Sequence, residues 1–306
     1  MSWRDYNEPE CVEEPSPVSL TLEPRPRPLG GFEVDRLLPA RQRRMVGPFI
    51  FLDHMGPAHF EPGRGADVPP HPHIGLATVT YLFAGEFMHR DSLGSAQAIE
   101  PGDVNWMSAG RGIVHSERTP AKRRVDGGPL HGLQFWVALP GVHELDDPYF
   151  QHAARADLPC IEHDKATMRL VAGSAFGETS PIKTLSPLFC LDAQLPRGGR
   201  FELPADYAER ALYPVEASVT VNGVACAAGA LSILEPDQAV EIVAMDAPTR
   251  IVLFGGARLD GERFIWWNFV SSSKERIEAA KRDWAERRFP VVPGDEHEFV
   301  PLPRHL

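Results

Sequence analysis

Two pairs of residues that commonly bind metal ions lie about forty residues apart in the first half of the chain. His71 and His73 form one pair, and His115 and Glu117 form the other. In an extended strand, residues i and i+2 project to the same face, so each pair presents two donors in one direction. Two strands that meet in a barrel would bring the four donors together. Three imidazoles and one carboxylate suit a borderline divalent ion such as Fe, Ni, Co, Mn or Zn.

The distribution of histidine also favours a metal site in this half. Ten of the twelve histidines fall at or before His163, and residues 164–296 contain none. A single H-x-H pair is more often structural or superficial than metal-binding, whereas two donor pairs beside glycine-rich turns favour a site. Gly110 and Gly112 would let the backbone bend tightly there. No cysteine lies nearby, which argues against structural zinc, and four ligands on an octahedral ion would leave two positions for water, dioxygen or a chelating substrate.

Other residues of the chain are weaker candidates. His131 and Gln134 could line the pocket, although a hydrogen-bonded core position is the commoner one for such a histidine. His54 or His59 could orient a ligand through its free ring nitrogen. His89 has charged neighbours in the sequence, which indicates a surface position. The aromatic string RFIWWNFV (263–270) indicates a packing strand, with a recognition surface as the alternative.

Charge and composition limit the classes of partner. The 306 residues carry a formal charge of -11, which argues against direct nucleic-acid binding because phosphate contacts need a basic face. The four cysteines are scattered without a C-x-x-C pair, as is typical of reduced thiols in the cytosol. No apolar run approaches the roughly 18 residues of a membrane span. We therefore expect a soluble, cytoplasmic protein without a signal peptide or membrane association.

Short apolar segments separated by glycine and proline predict an all-β fold. The strand-like segments lie at 46–52, 76–83, 96–99, 104–107 and 132–139 in the first half, and at 168–172, 186–193, 214–221, 230–234, 239–244 and 250–254 in the second. Both halves show the same pattern of short strand-like segments separated by turns, which suggests a duplicated barrel. Residues 1–17 are expected to form a loose tail, and residues 140–163 a connector.

The C-terminal part departs from this pattern. Ser272 and Glu275 have the spacing of a capping box. The residues that follow share one apolar stripe: Ile277, Ala280 and Trp284. These signals predict a helix over 273–288 that Pro290 stops. Its stripe would cover a barrel or hold the two halves together.

Several longer motifs resemble those of the pirin family within the cupin superfamily. They are RRMVGPFIFLDHMGP (43–57), HPHIGLATVTYLFAGEFMHRDSLG (71–94), PGDVNWMSAGRGIVHSER (101–118), HGLQFWVALP (131–140) and RFIWWNFVSSSKERIEAAKRDW (263–284), and the last looks like bacterial pirins. The resemblance spans roughly residues 30–290 and implies a bicupin of two antiparallel β-barrels. It implies metal only in the N-terminal barrel, because the second has no H-x-H. The glutamate that commonly follows H-x-H in cupins is replaced here by Ala77 and Thr78.

The family's ligands fall on His71, His73, His115 and Glu117. The resemblance thus implies one divalent transition metal ion, Fe first, with Ni, Co, Mn, Cu or Zn as alternatives. It implies a dioxygenase similar to the pirin-type quercetinases, with a small aromatic chelating substrate, dioxygen and Glu117 as general base. The alternatives are a non-enzymatic, redox-dependent regulator that contacts a partner protein, and a metal-binding relic without turnover.

The expected domains follow from the resemblance and the strand pattern together. Residues 18–145 would form the metal-binding cupin domain. Residues 146–306 would form a second cupin-like domain without metal, which includes the helix at 273–288.

Overall fold

The computed structural model describes residues 16–304, so the tail expected at residues 1–17 lies almost entirely outside the described part. The elements of the first half are β1 (Val18–Leu22), β2 (Arg25–Leu29), β3 (Phe32–Leu38), β4 (Phe49–Phe60), β5 (Asp67–His73), β6 (Leu76–Ala84), β7 (Phe87–Asp91), β8 (Ala96–Ile99), β9 (Val104–Ser108), β10 (Ile113–Arg118), α1 (Ala121–Asp126), β11 (Gly128–Ala138) and β12 (Tyr149–Ala153).

The elements of the second half are β13 (Cys160–His163), β14 (Ala166–Ala175), β15 (Glu178–Thr179), β16 (Leu188–Leu195), β17 (Arg200–Leu203), β18 (Glu209–Pro214), β19 (Val219–Val221), β20 (Val224–Cys226), β21 (Leu231–Leu234), β22 (Val240–Ala244), β23 (Thr249–Gly256), β24 (Phe264–Trp266), β25 (Phe269–Ser271) and α2 (Lys274–Ala285). Two short 3-10 turns, Gly141–His143 and Arg155–Asp157, lie between the halves.

Each half forms a barrel from one large and one small antiparallel sheet. In the N-terminal barrel the large sheet has the strand order β12-β9-β6-β11-β4-β3-β2, and the small sheet has the order β5-β10-β7-β8. In the C-terminal barrel the orders are β1-β21-β18-β23-β16-β14-β13, with β15 paired to β14, and β17-β22-β19-β20. The prediction of two antiparallel barrels with a C-terminal helix is therefore confirmed.

The expected segments and the observed strands differ at two places. Segment 214–221 contains the end of β18, a bend and the start of β19, because exposed Glu216 and Ser218 interrupt its apolar run. The connector expected at 140–163 contains two strands instead. β12 pairs with β9, and β13 pairs with β14. Both are edge strands with a single buried residue each, so their apolar alternation is too weak to be read from the sequence.

The two large sheets pack face to face and bury one shared core. Phe49 and Phe135 of the N-terminal barrel contact Phe254 of the C-terminal barrel, with ring centroids 5.0 and 5.2 Å apart. The same cluster contains apolar residues of β6, β16 and β18. Both faces of the N-terminal large sheet are consequently buried, one against the second barrel and the other inside its own barrel.

Each end of the described chain joins the opposite barrel. β1, which the sequence assigned to the N-terminal domain, pairs with β21 of the C-terminal sheet, with Leu22 opposite Leu231. The last elements cross in the other direction, because Ile277 and Trp284 of α2 cluster with Val114 of β10. β12 lies beyond the expected boundary at residue 145 and pairs with β9 in the N-terminal sheet, so neither barrel is made of one continuous segment.

Helix α2 begins one residue later than predicted. Ser273 is the N-cap, and its hydroxyl accepts a hydrogen bond from the Arg276 amide at 3.2 Å. The capping box between Ser272 and Glu275 is absent, because the Ser272 amide donates to the Glu144 carboxylate instead, at 2.8 Å. The predicted stripe of Ile277, Ala280 and Trp284 is buried.

The same helix also ends before Pro290, which was expected to stop it. It ends at Ala285, and two residues later Arg287 has a φ of 57°, which a continuing α-helix does not allow. Within residues 16–304 no helix is both long enough and apolar enough to cross a membrane.

Candidate metal centre

Three buried imidazoles meet inside the N-terminal barrel. β5 and β10 are antiparallel neighbours, and His71 lies directly opposite His115 in their ladder. His71 and His73 lie within β5, and His115 and Glu117 lie within β10. Candidate ligand atoms of His71, His73 and His115 lie within 4.8 Å of one another, and the Nε2 atoms of His73 and His115 are 3.1 Å apart. The register of one strand pair thus brings the three predicted histidines together.

Hydrogen bonds on the outer side of two rings determine which nitrogen faces inward. Nδ1 of His71 is 2.9 Å from the carbonyl oxygen of Pro69, and Nδ1 of His73 is 3.2 Å from that of Asn268. A carbonyl oxygen only accepts, so Nδ1 carries the hydrogen in both neutral rings. Each Nε2 therefore presents its lone pair to the centre of the cluster.

His115 obtains the same tautomer through a residue that sequence reasoning missed. Its Nδ1 is 3.4 Å from Nδ1 of His89, whose Nε2 is 3.2 Å from Oδ2 of Asp91. The carboxylate accepts from Nε2 of His89, so Nδ1 of a neutral His89 accepts from His115. His89 was predicted to lie at the surface but is 3% exposed, because alternate residues of β7 point inward and only its sequence neighbour Arg90 points outward.

The donor set fits a divalent metal ion. Burial lowers the pKa of His71, and burial with the charge of neighbouring histidines lowers the pKa values of His73 and His115 well below the usual range. The three rings are therefore neutral at pH 7. Three converging lone pairs repel one another unless a cation lies between them, and imidazole nitrogens are ligands that borderline ions prefer.

Glu117 lines the same cavity but is not part of the cluster of three. A bulge in the ladder separates it from His115. Its Oε1 accepts hydrogen bonds from Thr80 Oγ1 at 2.9 Å and from Gln134 Nε2 at 3.2 Å, and the Gln134 amide also lies 3.2 Å from Oε2. Gln134 therefore lies in the lining of the cavity, which was one of the two positions considered for it. The coordination of a metal by Glu117 stays a prediction.

His54 and His131 do not lie at this centre. The ligand-orienting role expected for His54 is therefore corrected, whereas His131 has the hydrogen-bonded position that was favoured over a place in the pocket. They face the second barrel, where His54 Nε2 is 2.8 Å from His131 Nε2 and His54 Nδ1 is 2.7 Å from the Tyr213 hydroxyl. Burial, followed by the charge of His131, lowers the pKa of His54 to about 4, so the His54 side chain is neutral at pH 7. The physical reason is strand alternation, because Asp53, the neighbour of His54 on β4, occupies the side that lines the cavity.

A cavity of about 520 Å³ opens onto His71 and His73 and has aromatic walls. The rings of Phe51 and Trp136 stack at 4.0 Å between centroids, and Trp136 meets the edge of His73 at 5.2 Å. Trp266 and Trp267 form another part of the wall. An aromatic wall beside a cluster of metal-ligand nitrogens is suited to a flat, apolar ligand with a chelating end.

The two tryptophans belong to the segment RFIWWNFV, which was predicted to be a packing strand. It forms the β24–β25 hairpin instead, and its turn residue Trp267 has a φ of 51°. The hairpin packs closely on the turn after β5, since a Cβ on Gly75 would lie 2.0 Å from the Val270 carbonyl oxygen. It therefore supplies both a cavity wall and the Asn268 carbonyl that accepts from His73.

Replacing His89 by Phe is expected to weaken metal binding about 10- to 100-fold, because His115 loses the acceptor that fixes its tautomer. The aromatic substitute keeps the stacking on Phe150, where the ring centroids are 4.4 Å apart. Isothermal titration calorimetry of the purified protein with the metal ion measures the change in affinity. His59→Phe, at an exposed position, is the control. Unchanged affinity in the His89 variant would show that His115 needs no such partner.

Comparisons with known proteins agree with this architecture. The Pirin family model matches residues 31–137, and the Pirin C-terminal cupin domain model matches residues 190–290. A pirin-like protein of Caulobacter vibrioides is 49% identical over 289 residues, which are 94% of this chain and 99% of that protein.

Two crystal structures of quercetin 2,3-dioxygenases from Acinetobacter baumannii have similar folds. The first has a TM-score of 0.86 and 34% identity, and the match covers 94% of this chain and 96% of that one. The second has a TM-score of 0.83 and 27% identity, with 89% and 97% covered. With two barrels, a histidine cluster in the first, and both family models matched, this chain belongs to the pirin family.

Proposed function

We propose that this chain is a metal-dependent dioxygenase that cleaves a flavonol-type substrate, an aromatic molecule with adjacent hydroxyl and carbonyl oxygens. One divalent ion, Fe in the first place, would be held by His71, His73, His115 and Glu117. The observation that carries the proposal is the convergence of three neutral imidazoles at the inner end of an aromatic cavity. The substrate class is supported by the similar folds of the two proteins named quercetin 2,3-dioxygenase.

In such a reaction each group of residues in the cavity would have its own role. A metal ion held by the three histidines and Glu117 would supply positive charge for binding the hydroxyl and carbonyl oxygens of a chelating substrate. Glu117 takes the hydroxyl proton, while Thr80 and Gln134 hold its carboxylate in place. Phe51 and Trp136 line the aromatic part of the cavity, where the substrate rings would lie. The reaction balances without a reductant, because one flavonol and one dioxygen give one depside and one carbon monoxide.

The Glu117→Gln variant is expected to retain some metal and to lose dioxygenase activity. The amide oxygen still coordinates weakly, but the amide does not accept the substrate proton. The assay follows the loss of flavonol absorbance, with the metal content of the same sample measured in parallel. Glu178→Gln, at an exposed position of the other barrel, is the control. Near wild-type turnover in the Glu117 variant would assign the proton transfer to another group.

The same assay tests the alternative role as a non-enzymatic regulator. No contact among residues 16–304 favours a particular protein partner, so that role stays a prediction. A wild-type protein that binds one metal ion and leaves flavonols unchanged would favour it over the dioxygenase.

A further inference from the structure

The cavity has a positively charged end as well as a histidine end. Arg36 lines it and holds Asp53 in a two-pronged ion pair, with Nε to Oδ1 at 2.8 Å and Nη2 to Oδ2 at 2.9 Å. The guanidinium carbon lies 4.4 Å above the centre of the Phe51 ring. Phe51 stacks on Trp136, and Trp136 meets His73. A continuous aromatic wall thus joins the arginine to the candidate metal centre.

The arrangement leaves hydrogen-bonding capacity on Arg36. Asp53 is 2% exposed and occupies only Nε and Nη2 of the guanidinium. Nη1 has no hydrogen-bond partner among residues 16–304, and 30% of the Arg36 side chain is exposed. A guanidinium has five N–H donors and no acceptor, so a ligand that uses the remaining donors must accept hydrogen bonds.

Positive charge at this end exceeds negative charge. Arg25 lies directly opposite Arg36 across the β2–β3 pair, and Arg27 follows at i+2 on the same strand. Like charges directly opposite one another destabilise an antiparallel pair. Burial lowers the pKa of Arg25, and the charges of Arg27 and Arg36 lower it further. Asp53 is the carboxylate shared by this group.

The other charges at the rim do not remove this excess. Arg44 also lines the cavity, but it pairs with Glu262 at 3.6 Å, where both side chains are more than half exposed. Arg25, Arg27 and Arg36 therefore share one carboxylate, and Arg36 is the member of this group that lines the cavity, in a chain whose formal charge is -11. An anion bound there would relieve the repulsion between Arg25 and Arg36.

We infer that the preferred ligand of this cavity is an aromatic chelator that carries a carboxylate at the end remote from the candidate metal centre, and that Arg36 binds this carboxylate. The inference rests on the proposed function only for the orientation of the ligand. The steps along the wall are 4.4 Å from Arg36 to Phe51, 4.0 Å to Trp136 and 5.2 Å to His73. Together they set an upper bound on the distance between Arg36 and His73, and this bound is of the order of the length of a molecule with two or three rings. Arg36 is thus a specificity-determining residue.

The test compares two probes that differ only in the charged group, 3-hydroxyflavone and its 4′-carboxy derivative. Binding to the full-length protein as purified is followed by quenching of tryptophan fluorescence, because Trp136, Trp266 and Trp267 line the cavity. The samples are kept under argon so that no turnover occurs. The carboxylated probe is expected to bind at least about tenfold more tightly, through a charge-assisted hydrogen bond, and its advantage should shrink as salt is added.

The variants separate the role of Arg36 from a general effect of charge. The Arg36→Gln/Asp53→Asn variant replaces the ion pair with two neutral amides, so no buried carboxylate is left unpaired. Its preference for the carboxylated probe should disappear. Arg200→Gln/Glu241→Gln makes the same change in an exposed pair of the other barrel and should keep the preference. Arg36→Lys keeps the charge but not the planar fork and should reduce the preference several-fold. This variant decides the question if the double variant does not fold.

Equal affinity of the wild-type protein for the two probes would overturn the inference, as would an unchanged preference without Arg36. The two proposals fail separately. A carboxylate preference without flavonol cleavage in air contradicts the dioxygenase alone. Flavonol cleavage without a carboxylate preference contradicts the role of Arg36 alone.

Discussion

The wild-type protein is expected to purify with one metal ion per chain, and the His71→Ala/His115→Ala variant is expected to purify without it. The two residues lie directly opposite each other on β5 and β10, and removing both leaves His73 alone of the three converging imidazoles. Elemental analysis of both proteins measures the difference. Because a ligand that binds only the folded state stabilises it, added metal should raise the melting temperature of the wild-type protein and not that of the variant.

A matched control is the pair His143→Ala/His163→Ala, which removes two partly exposed histidines outside the cavity. It should leave the metal content unchanged. Two ions per chain in the wild-type protein, or the same metal content in the His71/His115 variant, would mean that the metal is bound elsewhere.

The Trp284→Ala variant is expected to lower the free energy of unfolding by about 3–5 kcal/mol, the usual range for truncating a buried tryptophan. Trp284 is buried between α2 and the N-terminal barrel, and its rings contact Phe289 and Phe299 at 5.8 and 6.0 Å between centroids. Its Nε1 also donates to the Val300 carbonyl at 2.9 Å. Denaturant unfolding measures the loss, and the folded fraction should keep the metal content of the wild-type protein.

The comparison variant is Glu278→Ala, which changes an exposed residue of the same helix and should be nearly neutral. If Trp284→Ala left the stability unchanged and abolished binding of a ligand or partner, the helix would be a recognition surface rather than a structural support. The mass of the protein in solution, measured for both variants, would reveal a dimer contact through the same face.

The histidines of the candidate site could be located from the sequence because strand geometry is regular. Two residues at i and i+2 share a face of a strand wherever it lies, so His71 and His73 form a pair without knowledge of the fold. The histidine-free stretch 164–296 then assigns the site to the first barrel. The alternation of residues along a strand does not show which strand lies beside each donor pair. In the structure β5 and β10 are neighbours, which brings the two pairs together.

Alternation fails where both faces of a sheet are buried. His54 and Asp53 are adjacent on β4, and no polar pattern shows which of them faces the cavity and which the second barrel. For His89 the charged neighbours were misleading, since Asp91 shares its inward face and only Arg90 points outward. The hairpin at 264–271 could not be placed at all, because Asn268 is 195 residues from the His73 ring that it contacts.

The crossing of the chain ends has a consequence for biosynthesis. All four candidate ligands have been translated once Glu117 is made, yet the carbonyl that sets the His73 tautomer belongs to Asn268. Val300, which lines the cavity, donates its amide to the Pro70 carbonyl beside His71. A nascent chain therefore acquires a finished pocket only after residue 300 has left the ribosome. Chains released before that residue would carry the four candidate ligands without the chamber around them.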